Sequence, residues 1–164
     1  MCGIAGFFHP NANFLSNDNY YKNILHSMNQ KQAHRGPDDD GVMLTKRCGF
    51  AHRRLSIIDL KTGHQPLTKS FGEHFFTIIF NGELYNYKEL RHELISLNSS
   101  FETASDTEVV LECYLKFGPE FIEKLDGIFS FAIYNSRHET VHLYRDPFGT
   151  KPLFYTFVGD TLVF

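Results

Sequence analysis

An α+β protein with largely antiparallel sheets is the fold class that three features of this 164-residue sequence predict. Segments with strand character outnumber those with helical period and follow one another as neighbours, as antiparallel pairs do. The segment 128–134, IFSFAIY, is apolar on both alternating faces, so it needs cover on both sides. A composition of 42% hydrophobic and 15% aromatic residues supplies a core large enough to provide that cover, in a length that fits one domain spanning 1–164.

The elements follow in order. Residues 3–8, GIAGFF, form the first strand. Residues 20–32 form a helix, with Tyr21, Ile24, Leu25 and Met28 at i, i+3, i+4 and i+7 on one face; Arg35-Gly36-Pro37 ends it. Segments 49–58 and 74–80 contain strand. A second helix spans 87–97, with Asn86 as its N-cap, Glu89 three residues on, and an apolar face of Tyr87, Leu90, Leu94 and Leu97. Ser105 and Glu108 repeat the capping pattern at a third helix, whose stripe is Val110, Cys113, Tyr114 and Phe117 and whose stop is Gly118-Pro119. Strands 128–134 and 140–144 are joined by a turn at 135–138 into a hairpin. Residues 156–164 read as a strand, a Gly159-Asp160 turn and the start of another strand. That last apolar run carries no polar tail, as in a piece of a longer protein. There is no internal repeat, low-complexity tract or interdomain linker.

Charge and cysteine usage narrow the function classes. The formal net charge is −3 with scattered basic residues, which argues against a nucleic-acid or membrane surface. No apolar run approaches the roughly 18 residues of a membrane span, and the start lacks the charged and apolar regions of a signal peptide. Cys2, Cys48 and Cys113 are far apart and odd in number, without disulfide or metal spacing, and fit a reducing cytoplasm. The segment HRGPDDDG, residues 34–41, has the acidity of a metal site. Adjacent Asp side chains diverge, however, and the Asp-x-Asp-x-Asp spacing of a calcium loop is missing. The nine histidines show no ligand spacing, so no metal and no catalytic histidine is expected.

Met1-Cys2-Gly3-Ile4 carries the chemistry. Removal of Met1 would leave Cys2 with both a thiol and a free α-amine, whose ordinary pKa of about 7.7–8.0 lets it act as general base for its own thiol. By itself a cysteine here is more often a small buried residue of a first strand. Likewise, Asn81-Gly82 between apolar runs is a tight-turn signal as well as a pair of oxyanion donors. Asp106 at a helix start suits the helix dipole as well as a ligand cation. Strand alternation allows only one of Arg53 and Arg54 to face a site.

Five ordered segments decide among these readings: HRGPDDDG, AHRRLSIID at 51–59, FNGELYN at 80–86, ASDTEV at 104–109 and RDPFGTKPLFY at 145–155. After MCGI, and over nearly the whole chain, they resemble the glutaminase domain of class II glutamine amidotransferases, a branch of the N-terminal-nucleophile hydrolases. They are most similar to the N-terminal domain of the glutamine-hydrolysing asparagine synthetases. The resemblance implies a four-layer αββα sandwich and hydrolysis of L-glutamine to glutamate and ammonia through a Cys2 thioester. It makes Asn81 and Gly82 the oxyanion donors, Arg54 the partner of the α-carboxylate and Asp106 that of the α-ammonium. Glu83 becomes a second carboxylate near the site, with backbone of Leu55 and Ile57 lining the pocket and Gly3 leaving room beside the nucleophile. His34 and Arg35 take structural or gating roles, Asp38 to Asp40 a solvated turn, and Arg145 with Asp146 a local ion pair. The chain itself then needs no cofactor. Its partner is a C-terminal synthetase domain, absent here, where ATP and Mg²⁺ activate aspartate for attack by ammonia; a homodimer is left open. Amidophosphoribosyltransferases, aminosugar synthases, peptide- or sugar-modifying homologues and a non-catalytic binding module are the rival readings.

Overall fold

The computed structural model describes residues 2–56, 59 and 62–164. β1 (Gly3–Phe8) is followed by a short 3₁₀ turn and α1 (Asp18–Lys31), then β2 (Asp39–Leu44), β3 (Cys48–Arg54), β4 (Leu67–Phe71) and β5 (His74–Leu84). α2 (Tyr87–Ser96) and α3 (Asp106–Phe117) come next, then β6 (Gly127–Asn135), β7 (Thr140–Arg145), β8 (Thr156–Val158) and β9 (Thr161–Val163). One sheet has the order β2-β3-β1-β9-β8 and the other β4-β5-β6-β7. Every strand pair among the described residues is antiparallel.

Three apolar clusters make four layers. Leu25 of α1 packs on Ala5, Phe7 and Ala51 of the five-stranded sheet. Leu90, Leu94, Val110 and Cys113 of α2 and α3 pack on Phe76, Ile78, Phe129 and Phe131 of the four-stranded sheet. Between the sheets lie Cys48, Phe50, Ile79, Ala132 and Tyr134. The alternation in β6 explains its sequence: Phe129, Phe131 and Ile133 face the helices while Ala132 and Tyr134 face the other sheet. The αββα sandwich is therefore the observed architecture.

Local differences from the sequence reading have local causes. β2 and β4 are additional strands. β2 opens with Asp39-Asp40, poor strand formers, which pair in register with Arg54 and Arg53. Asp38 to Asp40 are thus not a free turn: Asp38 accepts from the Ser56 amide at 2.8 Å, and Asp40 lies 3.4 Å from Arg53. β3 ends at Arg54, and Ile57 and Ile58 lie outside the described residues. Asn81-Gly82 is no turn, because β5 runs through it in register with Phe129 and Ser130 of β6. Asn86 stands at the N-cap of α2, yet its amide spans to the Lys124 carbonyl and the Asp126 amide. Ser105 does cap α3, accepting from the Glu108 amide at 3.2 Å. The Glu108 carboxylate turns instead to the amides of Glu102 and Thr103 and to Lys69.

His52 lies in the inter-sheet layer with no exposed surface, and its Nε2 donates to the Phe80 carbonyl at 3.1 Å. Burial holds its pKa down to about 4, against about 6.5 in an unfolded chain. The unfolded state therefore takes up a proton that the folded state refuses. Stability is complete above pH ~6.5 and falls by about 3 kcal/mol as the pH drops to ~4. Denaturant titrations across that window should show this slope in the parent and lose it in His52→Phe; an unchanged slope would assign the acid sensitivity elsewhere.

Candidate functional site

One cleft at the end of the sandwich is lined by Cys2, Arg54, Leu55, Asn81, Gly82, Glu83 and Asp106. Of the sequence-predicted site residues only Ile57 is not placed, lying outside the described residues.

Cys2 immediately precedes β1, and alternation sends its side chain to the inter-sheet side, as for Ile4. Its sulfur is 3.4 Å from the Leu55 amide and 3.7 Å from the Leu55 carbonyl. Gly3 leaves room for the Gln32 side chain, whose Nε2 donates to the Ile4 carbonyl at 3.1 Å and whose Oε1 would have to shift for a Cβ at position 3. The other thiols are sequestered. Burial pushes Cys48 well above the usual thiol range and Cys113 up to about 12, leaving Cys2 as the half-exposed thiol.

The two arginines of β3 separate as alternation requires. Arg53 turns to α1, where its Nε donates to the Asn29 carbonyl at 3.1 Å. Arg54 turns into the cleft, where its Nη2 donates to the Asp59 carbonyl. Gly63 makes the seat for that guanidinium, since a Cβ at 63 would fall 2.3 Å from Nη2.

The backbone of β5 shows why Asn81-Gly82 is a donor pair. In an antiparallel ladder each residue sends its N–H and C=O to the same side, and the side alternates. The Phe80 amide donates to Gln65 at 2.6 Å and the Leu84 amide to Asp106 at 3.2 Å, both away from β6. Gly82, midway between them, therefore presents its N–H on the same edge, beyond the end of β4 and into the cleft. Its lack of a side chain is dictated by β6, whose Ile128 carbonyl would be 2.4 Å from a Cβ. The Asn81 side chain, 4% exposed, points to the inter-sheet side beside Gly82.

Asp106 occupies the first turn of α3, so it meets the helix dipole, but it also reaches across to β5. It is 6% exposed and accepts from the amides of Leu84 and Thr107. Burial raises its pKa, Glu83 adds to the rise, and the two amides oppose it. A buried carboxylate held in this way favours the arrival of a cation. Arg54 and Asp106 thus offer opposite charges within one cleft, a match for the zwitterionic head of an amino acid.

Gln65, Thr107 and Lys151 also line the cleft and were not expected from the sequence. The motif around Lys151 was recognisable, but its burial at 8% was not. His34 and Arg35 line a neighbouring cavity with Asn81 and Phe154. Arg145 and Asp146 hold backbone rather than each other. Arg145 donates to the carbonyls of Lys151 and Gly149, and Asp146 accepts from the amides of Phe129, Thr150 and Lys151. Burial raises the Asp146 pKa, but those three donors outweigh it and bring it down to about 2. Among the described residues, no group of three or more His, Cys, Asp or Glu side chains could hold a metal ion. No helix there is long and apolar enough to cross a membrane.

Comparison with known proteins bears on this cleft. The family model described as glutamine amidotransferase domain matches residues 1–164. The chain is 45% identical over 166 residues to asparagine synthetase [glutamine-hydrolyzing] 1 of Bacillus subtilis, covering 100% of this chain and 25% of that protein. It is 37% identical to asparagine synthetase B [glutamine-hydrolyzing] of Escherichia coli, covering 94% of this chain and 26% of that one. The chain thus spans about a quarter of the length of these curated relatives. Among solved structures, the B. subtilis glutamine phosphoribosylpyrophosphate amidotransferase complexed with ADP and GMP superposes with a TM-score of 0.73 at 23% identity, over 99% of this chain and 41% of that chain. It shares the fold.

Proposed function

The chain belongs to the glutamine amidotransferase domain family, and from that premise we propose that it is a glutaminase domain that hydrolyses L-glutamine to glutamate and ammonia through a Cys2 thioester. The observation that carries this reading is the convergence in one cleft of the Cys2 thiol, the Gly82 edge amide, the Asn81 side chain, Arg54 and Asp106.

In the proposed reaction, Met1 is removed and the freed α-amine of Cys2 takes the thiol proton. Arg54 binds the substrate α-carboxylate and Asp106 the α-ammonium, with Glu83 at the rim and the Leu55 backbone beside them, so the side-chain carboxamide reaches the sulfur. The thiolate adds to the amide carbon, and the resulting oxyanion is stabilised by the Asn81 side chain and the Gly82 N–H. The tetrahedral adduct collapses, the C–N bond breaks, and the leaving nitrogen takes the proton from the α-ammonium of Cys2 and departs as ammonia. Water, deprotonated by the same amine, hydrolyses the thioester and releases glutamate.

The identities of 45% and 37% to asparagine synthetases favour ATP-dependent conversion of aspartate to asparagine as the use of that ammonia. On this reading 1–164 is the glutaminase domain, its partner is a synthetase domain of the same protein, and ATP and Mg²⁺ serve the acceptor step there. The glutaminase step itself uses no cofactor. The three free cysteines fit a reducing cytoplasm.

Intact mass before and after 6-diazo-5-oxo-L-norleucine, a glutamine-like electrophile, tests the reading. The expected result is loss of Met1 and a single adduct that maps to Cys2. A processed chain that gains no adduct under conditions where glutamine protects nothing would reject it in favour of a binding module.

A further inference from the structure

We propose that Gln65 is a positioning residue for glutamine hydrolysis, locking the β5 edge that presents Gly82 to the helix start that presents Asp106. This rests on the glutaminase reading.

The register of the β4–β5 pair begins at Leu67 opposite Ile78. Continued by two residues it would put Gln65 opposite Phe80, but β4 does not extend there, and Pro66 has no N–H to contribute. The outward N–H and C=O of Phe80 are thereby left without a strand partner in a residue only 3% exposed. Two buried side chains take the place of the strand. Oε1 of Gln65 accepts from the Phe80 amide at 2.6 Å, and Nε2 of His52 donates to the Phe80 carbonyl at 3.1 Å.

The other end of the Gln65 amide crosses to α3. Its Nε2 donates to Oγ1 of Thr107 at 3.1 Å, and Gln65 and Thr107 are 4% and 3% exposed. Thr107 follows Asp106, whose carboxylate accepts from the Leu84 amide. The bonds form a closed circuit: Gln65 to Phe80, along β5 to Leu84, across to Asp106, and through Thr107 back to Gln65. The Gly82 amide sits in the middle of the β5 arc of that circuit. Opening it at Gln65 frees the β5 edge and the α3 start to move apart. A shift of about 1 Å in such a site can cost about 10²-fold in rate.

Steady-state kinetics of glutamate release from the full chain, with thermal unfolding followed in parallel, tests the proposal. Thr107→Val breaks only the α3 end and should raise KM for glutamine roughly tenfold with kcat nearly kept. Thr107→Ser, which keeps the hydroxyl, should restore the parental KM. Gln65→Met breaks both ends and should also lower kcat by about 10²-fold while the protein still unfolds cooperatively. A purely structural role would instead reduce the folded fraction, lowering apparent kcat and leaving KM unmoved. That pattern overturns the proposal, as would parental KM and kcat in Thr107→Val and Gln65→Met together. A correctly processed parent that releases no glutamate would reject the glutaminase reading itself, a result distinct from either.

Discussion

A Cys2→Ala chain is expected to keep the native fold and to release glutamate from glutamine at a rate lower by on the order of 10⁶-fold, the loss seen when the nucleophile of an acyl transfer is deleted. The fold should be indifferent because the thiol contributes little to it. Cys2 is half-exposed, and its polar contacts are long ones to the Leu55 backbone at 3.4 and 3.7 Å. Neither remaining thiol can substitute. Cys48 and Cys113 are buried, and burial holds both in the protonated form. The check is a glutamate-release assay on matched, processed samples with circular dichroism and a thermal melt. Release at the parental rate would remove Cys2 from the mechanism, whatever the fold does.

Asp106→Asn carries the second large effect, on binding. A charge-assisted hydrogen bond to the substrate ammonium is worth about 1.5–3 kcal/mol, so its loss should raise KM by roughly 10- to 150-fold. Selectivity supplies a sharper reading. The parent should prefer glutamine over 4-carbamoylbutyrate, which lacks the α-amino group, and the variant should lose that preference. The folded-state pKa of Asp106 is raised, chiefly by burial. Its charged form therefore costs folding stability above the pKa, and the cost disappears as pH falls through it. Asn carries no such cost but has one acceptor oxygen for the two amides of Leu84 and Thr107 that Asp106 satisfies. Relief of the buried charge and loss of one acceptor therefore oppose each other, and the stability of Asp106→Asn at neutral pH should change far less than its KM. In the parent, KM should rise as pH falls through the raised Asp106 pKa, and this limb should be missing in the variant. An unchanged KM would place Asp106 outside the pocket and leave it the dipole role alone.

Much of the architecture was legible in the sequence because the relevant forces are local or periodic. The stripe of α1, the capped start of α3, the two-faced apolar strand β6 and the β6–β7 hairpin each follow from residues within one element. β2 and β4 were not legible. An Asp-Asp-Gly start is unfavourable for a strand until Arg53 and Arg54 of β3 lie beside it, and LTKSF is a five-residue edge strand. The apparent Asn81-Gly82 turn failed for a related reason: pairing with β6 over nine positions overrides a two-residue turn preference.

By itself the sequence determined the fold class, the family, and which residue types could do the chemistry, because motif order and hydrophobic period are written in the chain. Tertiary structure decided what those residues face. It turned Arg54 rather than Arg53 into the cleft, raised the pKa of Asp106 by burying it, exposed the Gly82 amide where β4 stops, and recruited Gln65 and His52 to the strand edge left behind. Each of these depends on contacts between segments distant in sequence, or on where a neighbouring strand ends, and no local pattern encodes such a position.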